Sequence, residues 1–378
     1  MKFIHLSDLH LGKRVNEFSM IEDQSYILDE ILEVLEEEKP DAILIAGDVY
    51  DKSIPSSEAV ALCSRFLREL AERKLQVFLS SGNHDGAERL AFARELIDVS
   101  GVHISPVYDG TIRPYTLWDS HGPVDIYMLP FVKPAVVRHC FPEEEISSYT
   151  DAVRTAISHM PVDSSRRNIL AAHQFVTGAA TCESEEIFVG GTENVDASVF
   201  DGFDYVALGH LHGPQNVADN IRYCGTPLKY SFSEVNHKKS VTILELEEKG
   251  SPVIRTVPLT PRRDWMKLRG TFEELTTKSF YENTVYSDSY LSITLTDEEE
   301  LPDVIGTLRK IYPYMMQVSY DNARTRSTQQ VAANAEAERR SPLQSFSALF
   351  ERQNGRPMSQ EQTDFVGALI DSIWEAEV

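Results

Sequence analysis

"SSGNHDGA", residues 80 to 87, follows the largely apolar run Leu75 to Leu79 and precedes a stretch of helical composition. A buried strand therefore ends where Asn83, His84 and Asp85 stand side by side. A turn would account for Gly82, Gly86 and the asparagine. It would not account for the histidine, so the other strand ends have to decide.

From residue 1 to residue 260, short β-rich runs alternate with segments of helical period, the pattern of an α/β domain. The strands are "KFIHLS", "AILIAG", "QVFLSS", "VDIYMLP", "NILAAHQ" and "YVALGH", and "SVTILELEEKGSPVIRTVPL" reads as a closing hairpin across "EKGS". Between the first two strands, Ile27, Ile31, Leu32 and Leu35 share one helical face. Residues 56–72 repeat that arrangement behind serines suited to an N-cap.

Metal-capable side chains recur where these strands end. The first ends in "SDLH", and the period of a strand predicts a common face for Asp8 and His10. The second ends in "AGDVYD", with Asp48 and Asp51; the third is the opening stretch; later strands end in His173 and in "GHLH", with His210 and His212. Taken singly, each is an ordinary cap, turn or surface histidine. In chain order, each behind an apolar run, they fit one crevice at the carboxyl ends of a sheet.

Imidazole, carboxylate and amide oxygen without thiolate suit two borderline ions such as Mn, Fe or Zn. Two ions about 3.5–4 Å apart need a bridging carboxylate, and Asp48 lies centrally in strand order. Asp85 is left without a metal to bind, and a hydrogen bond that holds its loop is the expected role.

The whole chain sets bounds on this reading. Its 378 residues carry 36 Lys and Arg against 59 Asp and Glu, a net charge of -23, which opposes indiscriminate binding to polyanions. Lys13, Arg14, Lys229, Lys238 and Lys239 are the local cations that could meet a polyanion such as DNA were one the substrate. Cys63, Cys140, Cys182 and Cys224 are scattered, so a reducing cytoplasm is expected. No apolar run approaches the roughly 18 residues of a membrane span.

Residues 1–260 read as the main domain and 261–320 as a small α+β domain. Residues 321–341 read as a linker, and 342–378 as two short amphipathic helices that either fold back or dock on a partner.

The set DxH, GDxxD, GNH, H and GHxH resembles the calcineurin-like metallophosphoesterases. "IHLSDLHLGK", "GDVYDKSIPS", "FDYVALGHLHGPQ" and "RYCGTPLKYSFSEVNHKKSV" are similar to the SbcD-type nuclease subunits, counterparts of the eukaryotic and archaeal double-strand-break repair nuclease. The resemblance implies a β-sandwich flanked by helices, with a small α+β cap domain over the DNA path and C-terminal helices docked on an SMC-like ATPase of the SbcC kind. It assigns one ion to Asp8, His10 and His212, the other to Asn83, His173 and His210, and the bridge to Asp48. His84 would be the catalytic acid and Asp51 the residue that orients it.

The implied activity is a Mn2+-dependent 3′ to 5′ exonuclease and hairpin-opening endonuclease in DNA repair, recombination and replication. The subunit would be homodimeric, with ATP dependence supplied by the partner. Two rivals keep the same residues: a dimetal phosphomonoesterase or protein phosphatase, and a DNA-tethering scaffold with a vestigial site. Protein phosphatases follow the second aspartate with Arg-Gly, where this chain has Lys52 and Ser53.

Overall fold

The computed structural model describes residues 1–185, 194–299, 302–323 and 325, and positions 343, 346, 347, 350, 358–360, 362, 363, 365–367 and 369 near the end. Most of the expected linker and much of the C-terminal helix pair lie outside the described residues.

The chain runs β1 (Lys2–Leu6), β2 (Arg14–Val15), β3 (Phe18–Ser19), α1 (Ile21–Glu38), β4 (Ala42–Ala46), α2 (Ser57–Glu72), β5 (Gln76–Ser80), α3 (Ala87–Leu90), α4 (Arg94–Asp98) and β6 (Val102–Ile104). It continues through β7 (Tyr115–Asp119), β8 (Gly122–Leu129), α5 (Pro134–Cys140), α6 (Tyr149–Ser158), β9 (Arg167–His173), β10 (Tyr205–Gly209), β11 (Gln215–Ala218), β12 (Ile221–Tyr223), β13 (Ser240–Leu246) and β14 (Pro252–Pro258). The last elements are β15 (Trp265–Gly270), α7 (Phe272–Thr276), α8 (Lys278–Tyr281), β16 (Tyr290–Leu295), α9 (Val304–Ile311) and β17 (Met315–Tyr320).

Two six-stranded sheets are formed, ordered β14-β13-β1-β4-β5-β6 and β11-β12-β10-β9-β8-β7. In the first, β1, β4, β5 and β6 run parallel, with β13 antiparallel to β1; in the second, β8, β9, β10 and β12 run parallel. Their central strands bury both faces, which explains why they read as continuous apolar runs. Phe3, Leu44, Phe78, Ile126, Ile169 and Tyr205 meet between the sheets, while their neighbours Ile4, Ile45 and Leu79 pack with residues of α1 and α2 on one outer face. Tyr127, Leu170 and Val206 pack with residues of α5 and α6 on the other. The sheet of the main domain is thus a sandwich between helices and not a single open layer.

Local signals fix the helix starts. The Ser56 side chain accepts from the Ala59 N–H ahead of α2, and Ser148 and Asp151 form a reciprocal capping box ahead of α6. The hairpin across residues 247–251 pairs Leu246 with Pro252 in register. Cys63, Cys140, Cys182 and Cys224 are free thiols, and among the described residues no helix is long and apolar enough to cross a membrane.

The chain divides into two compact units: Met1–Leu268 with Thr276–Ile293 and Ile305–Val318, and Arg269–Leu275 with Thr294–Val304 and Ser319–Val378. β15, β16 and β17 form a three-stranded sheet. Its Trp265, Tyr290 and Met316 belong to the core of the first unit. In the second unit, Asp297 accepts from the Phe272 N–H at 2.8 Å and its carbonyl from Asn322 Nδ2 at 3.1 Å. Phe346, Phe350, Met358, Phe365 and Val366 line an apolar pocket there.

Phe78→Ala empties a fully buried position between the sheets. It is expected to cost about 3–5 kcal/mol, read from urea unfolding. Val253→Ala, on an exposed strand position, should stay within about 0.5 kcal/mol.

Candidate metal centre

The ends of β1, β4 and β5 in one sheet and of β9 and β10 in the other carry the predicted cluster. Asp8 and His10 lie beyond β1, where the strand's period no longer applies. They turn inward because Asp8 (φ 53°) and His10 (φ 44°) adopt left-handed backbone, as do Asp48 (φ 50°) and, with φ 104°, His210. Such conformations cost on the order of 1–3 kcal/mol each for non-glycine residues and persist only where the surroundings hold them. The β1–β4 register supplies the hold past the strand ends. Asp8 N–H donates to the Gly47 carbonyl and His10 N–H to the Asp48 carbonyl, each at 3.0 Å.

Asp48 is the hub. One carboxylate oxygen accepts from the His84 N–H at 2.9 Å; the other stands 3.2 Å from His173 Nε2, 3.8 Å from His10 Nε2 and 3.9 Å from His84 Nε2. Asn83 Oδ1 lies 3.0 Å from both His173 Nε2 and His210 Nδ1. His10 Nε2 and His212 Nε2 face each other at 3.2 Å, and Asp8 accepts from the Ser7 hydroxyl and from the His210 N–H at 3.0 Å. His173 Nδ1 is 2.9 Å from the Ala46 carbonyl, so Nδ1 carries the proton and Nε2 points to the cluster.

The donor set fits divalent ions. Asp8, His10 and His212 offer three ligand atoms within 4.8 Å of one another, as do Asp8, Asp48 and His173. His210 Nε2 and His10 Nδ1 are buried without a hydrogen-bond partner.

Burial and mutual charge act differently on the four groups. Burial holds the His10 pKa well below its usual value and takes that of His210 to about 3, so both rings are neutral. Burial also opposes charge on His173, but the Asp48 carboxylate outweighs it and raises the pKa to about 9. Burial, reinforced by the Asp48 charge and opposed by His173, lifts Asp8 to about 7.

Not every predicted residue joins the cluster in its expected role. Asp51 bonds His84 through its backbone carbonyl, 3.0 Å from His84 Nδ1, while its carboxylate takes the Lys13 ammonium at 2.6 Å. Asp51 thus meets His84 through its main chain. Lys229 and Lys239 are buried: Lys229 binds Asp264 and the Val235 carbonyl, and Lys239 binds Glu234, Thr226 and the His212 carbonyl. Both were expected to meet DNA, and both ammoniums are spent on internal partners. Arg14 and Lys238 are exposed.

Asp85 closes the loop as expected. Its carboxylate accepts from the N–H groups of Gly82, Tyr50 and Val49 at 2.9, 2.9 and 3.2 Å, tying the ends of β4 and β5 together. Gly82 permits this approach: a Cβ there would run into Asp48 Oδ1. Ser184 and Glu234, behind His212, escaped sequence reasoning, although "SFSEVNHKK" placed a buried acid within a quoted motif.

Asp85→Asn replaces an acceptor-only group with one that presents N–H to N–H. The expected cost is about 1–3 kcal/mol in urea unfolding, with a parallel loss of divalent-ion affinity by calorimetry.

Residues 1–214 match the model of the calcineurin-like phosphoesterase family, and residues 261–354 that of a domain described as the type 5 capsule protein repressor C-terminal domain. The D subunit of the SbcCD nuclease of Staphylococcus epidermidis is 31% identical over 385 residues, covering 100% of both chains. Its namesake from Staphylococcus saprophyticus is 33% identical over 318 residues, 83% of each. A dimetal phosphatase from Danio rerio covers 69% of this chain and 98% of its own with a TM-score of 0.43 and 12% identity, too distant to bear on the site. Matched by the phosphoesterase model over more than half its length and by such a relative from end to end, the chain belongs to the calcineurin-like phosphoesterases, in the family of the SbcCD nuclease D subunits.

Proposed function

We propose that this chain is the nuclease subunit of an SbcCD-type complex and hydrolyses phosphodiester bonds in DNA at a dimetal centre. The observation that carries the reading is the convergence of Asp8, His10, Asp48, Asn83, His173, His210 and His212 at strand ends of two facing sheets. Asp8, His10 and His212 would hold one ion and Asn83, His173 and His210 the other, with Asp48 shared. Bound there, the ions supply a water of lowered pKa and positive charge against the phosphoryl oxygens. The thiolate-free donors suit Mn2+.

His84 is the general acid. The Asp51 carbonyl can only accept, so His84 Nδ1 is the donor, and a second proton on the ring sits on Nε2, facing the cluster. That proton goes to the leaving oxygen. The backbone N–H of His84 on Asp48 fixes the acid beside the shared ligand.

The finer reading is a 3′ to 5′ double-strand exonuclease that also opens hairpins, homodimeric and coupled to ATP through an SMC-like SbcC ATPase in the cytoplasm. The C-terminal helices would dock on that ATPase. With Lys229 and Lys239 neutralised inside the fold, Arg14 and Lys238 are the exposed cations left of the predicted set. The ATPase then supplies much of the DNA backbone affinity. The salt dependence of DNA binding should be steeper for the complex than for the isolated chain; equal slopes and affinities would sink this division of labour.

The test of the nuclease reading uses labelled duplex and hairpin DNA with Mn2+, with and without ATP and the ATPase. His84→Ala is expected to lose roughly 10²–10⁴-fold in cleavage rate while still binding Mn2+ by calorimetry; Asp48→Ala should lose both. An unchanged rate removes His84 from the mechanism. Fast phosphomonoester turnover without DNA cleavage would transfer the site to a phosphomonoesterase.

A further inference from the structure

Behind the metal-facing rings lies a second, largely interior set of polar groups that the hydrolytic chemistry does not use. Glu234 is 0% exposed and Lys239 5%, and they pair at 2.5 Å. Ser184 stands between Glu234 and His212: its hydroxyl donates to Glu234 Oε1 at 2.5 Å and lies 2.8 Å from His212 Nδ1. His212 Nδ1 is itself 3.7 Å from the same carboxylate oxygen. Neighbouring Glu185 accepts from the His212 N–H at 2.6 Å, so ring and main chain of this residue are gripped from one side.

The proton count in this chain is determined. Ser184 has one hydroxyl proton, and the carboxylate at 2.5 Å takes it ahead of the weaker acceptor Cys182 Sγ at 3.1 Å; towards His212 the oxygen can then only accept. Nδ1 of His212 therefore carries a hydrogen, and Nε2 presents its lone pair towards His10 and Asp8. The Lys239 ammonium on Glu234 balances the carboxylate at the far end of the chain. Lys239 in turn donates to the His212 carbonyl at 2.9 Å and to Thr226 at 2.6 Å. A buried carboxylate satisfied in this way, with the ligand's outer nitrogen at the end of the chain, is the arrangement that orients metal-ligating histidines.

We propose that Glu234 and Ser184 are positioning residues that fix the tautomer and aim of His212 and so set the affinity of the ion it holds. This rests on the dimetal reading. The second ion's residues, Asn83, His173 and His210, bond one another and the Ala46 carbonyl, with no Ser184 or Glu234 contact among their described bonds. The proposal therefore separates the two ions: disturbing the relay weakens one and spares the other.

The experiment titrates metal-free full-length chain with Mn2+ by calorimetry, with the melting temperature of each variant measured alongside. Ser184→Ala removes only the bridging hydroxyl, Glu234→Gln keeps the volume but not the charge, and Ser184→Thr keeps the hydroxyl. The expected result is two ions bound by the unsubstituted chain, with one of the two affinities lowered about 10–100-fold in Ser184→Ala and Glu234→Gln and recovered in Ser184→Thr. Unchanged affinities in Ser184→Ala overturn the proposal, as does an equal loss at both ions accompanied by a lower melting temperature. Fewer than two ions on the unsubstituted chain overturns the dimetal reading and the proposal with it.

Discussion

The structure turns on the burial of one carboxylate. Asp48 is 2% exposed at the end of a central strand, where an uncompensated charge would cost several kcal/mol. Its compensation is drawn from two directions: the His84 N–H and the His173 ring. Each of those groups is then committed to a place, and the loops that carry them inherit the constraint. Asp85 extends it, since a second buried carboxylate that ties Val49, Tyr50 and Gly82 holds the loop on either side of Asp48. Two acids near one another would repel if exposed only to each other; three backbone donors on Asp85, and the His173 ring and His84 N–H on Asp48, are what make the pair tenable.

Backbone strain is the cost of presenting ligands from strand ends. Asp8, His10, Asp48 and His210 sit at positive φ, and Gly47 and Gly209 leave room where a Cβ would run into the His173 ring. The rigid sandwich beneath supplies the over-determination that such conformations require. Strands end here because the chain must leave the pleat to converge. A regular strand would have sent alternate residues to opposite faces of the sheet.

Much of this was legible, for identifiable reasons. Strands buried on both faces announce themselves as apolar runs, and the polar residues that interrupt them at "SDLH", "GDVYD", "GNHD" and "GHLH" stand out against that background. The loop-holding role of Asp85 followed from what the metal chemistry left over. What the sequence could not show is which charges are interior. Lys229 and Lys239 look like surface cations in a string, and their burial depends on Asp264 arriving from outside that stretch and on the turns that fold Glu234 and Thr226 onto Lys239. Which atom of Asp51 meets His84 was illegible for the same reason: Lys13 takes a carboxylate oxygen, and the carbonyl reaches His84. The split into two sheets was likewise not written in the strands, since a run buried on both faces looks the same under a helix or under another sheet.

The division of the site between the sheets has a consequence for how fold and function are joined. Asp8, His10, Asp48 and Asn83 come from the ends of one sheet, and His173, His210 and His212 from the ends of the other. The interior that sets their spacing is the apolar layer of Phe3, Leu44, Phe78, Ile126, Ile169 and Tyr205 between those sheets. Ions bound by both halves would staple that layer at its open end, and any ligand that binds only the folded form stabilises it by mass action. The same linkage runs in reverse. A change of spacing between the sheets, far from any ligand, moves Asn83 against His173 and Asp8 against His212, so the packing of the sandwich is part of the geometry of the site.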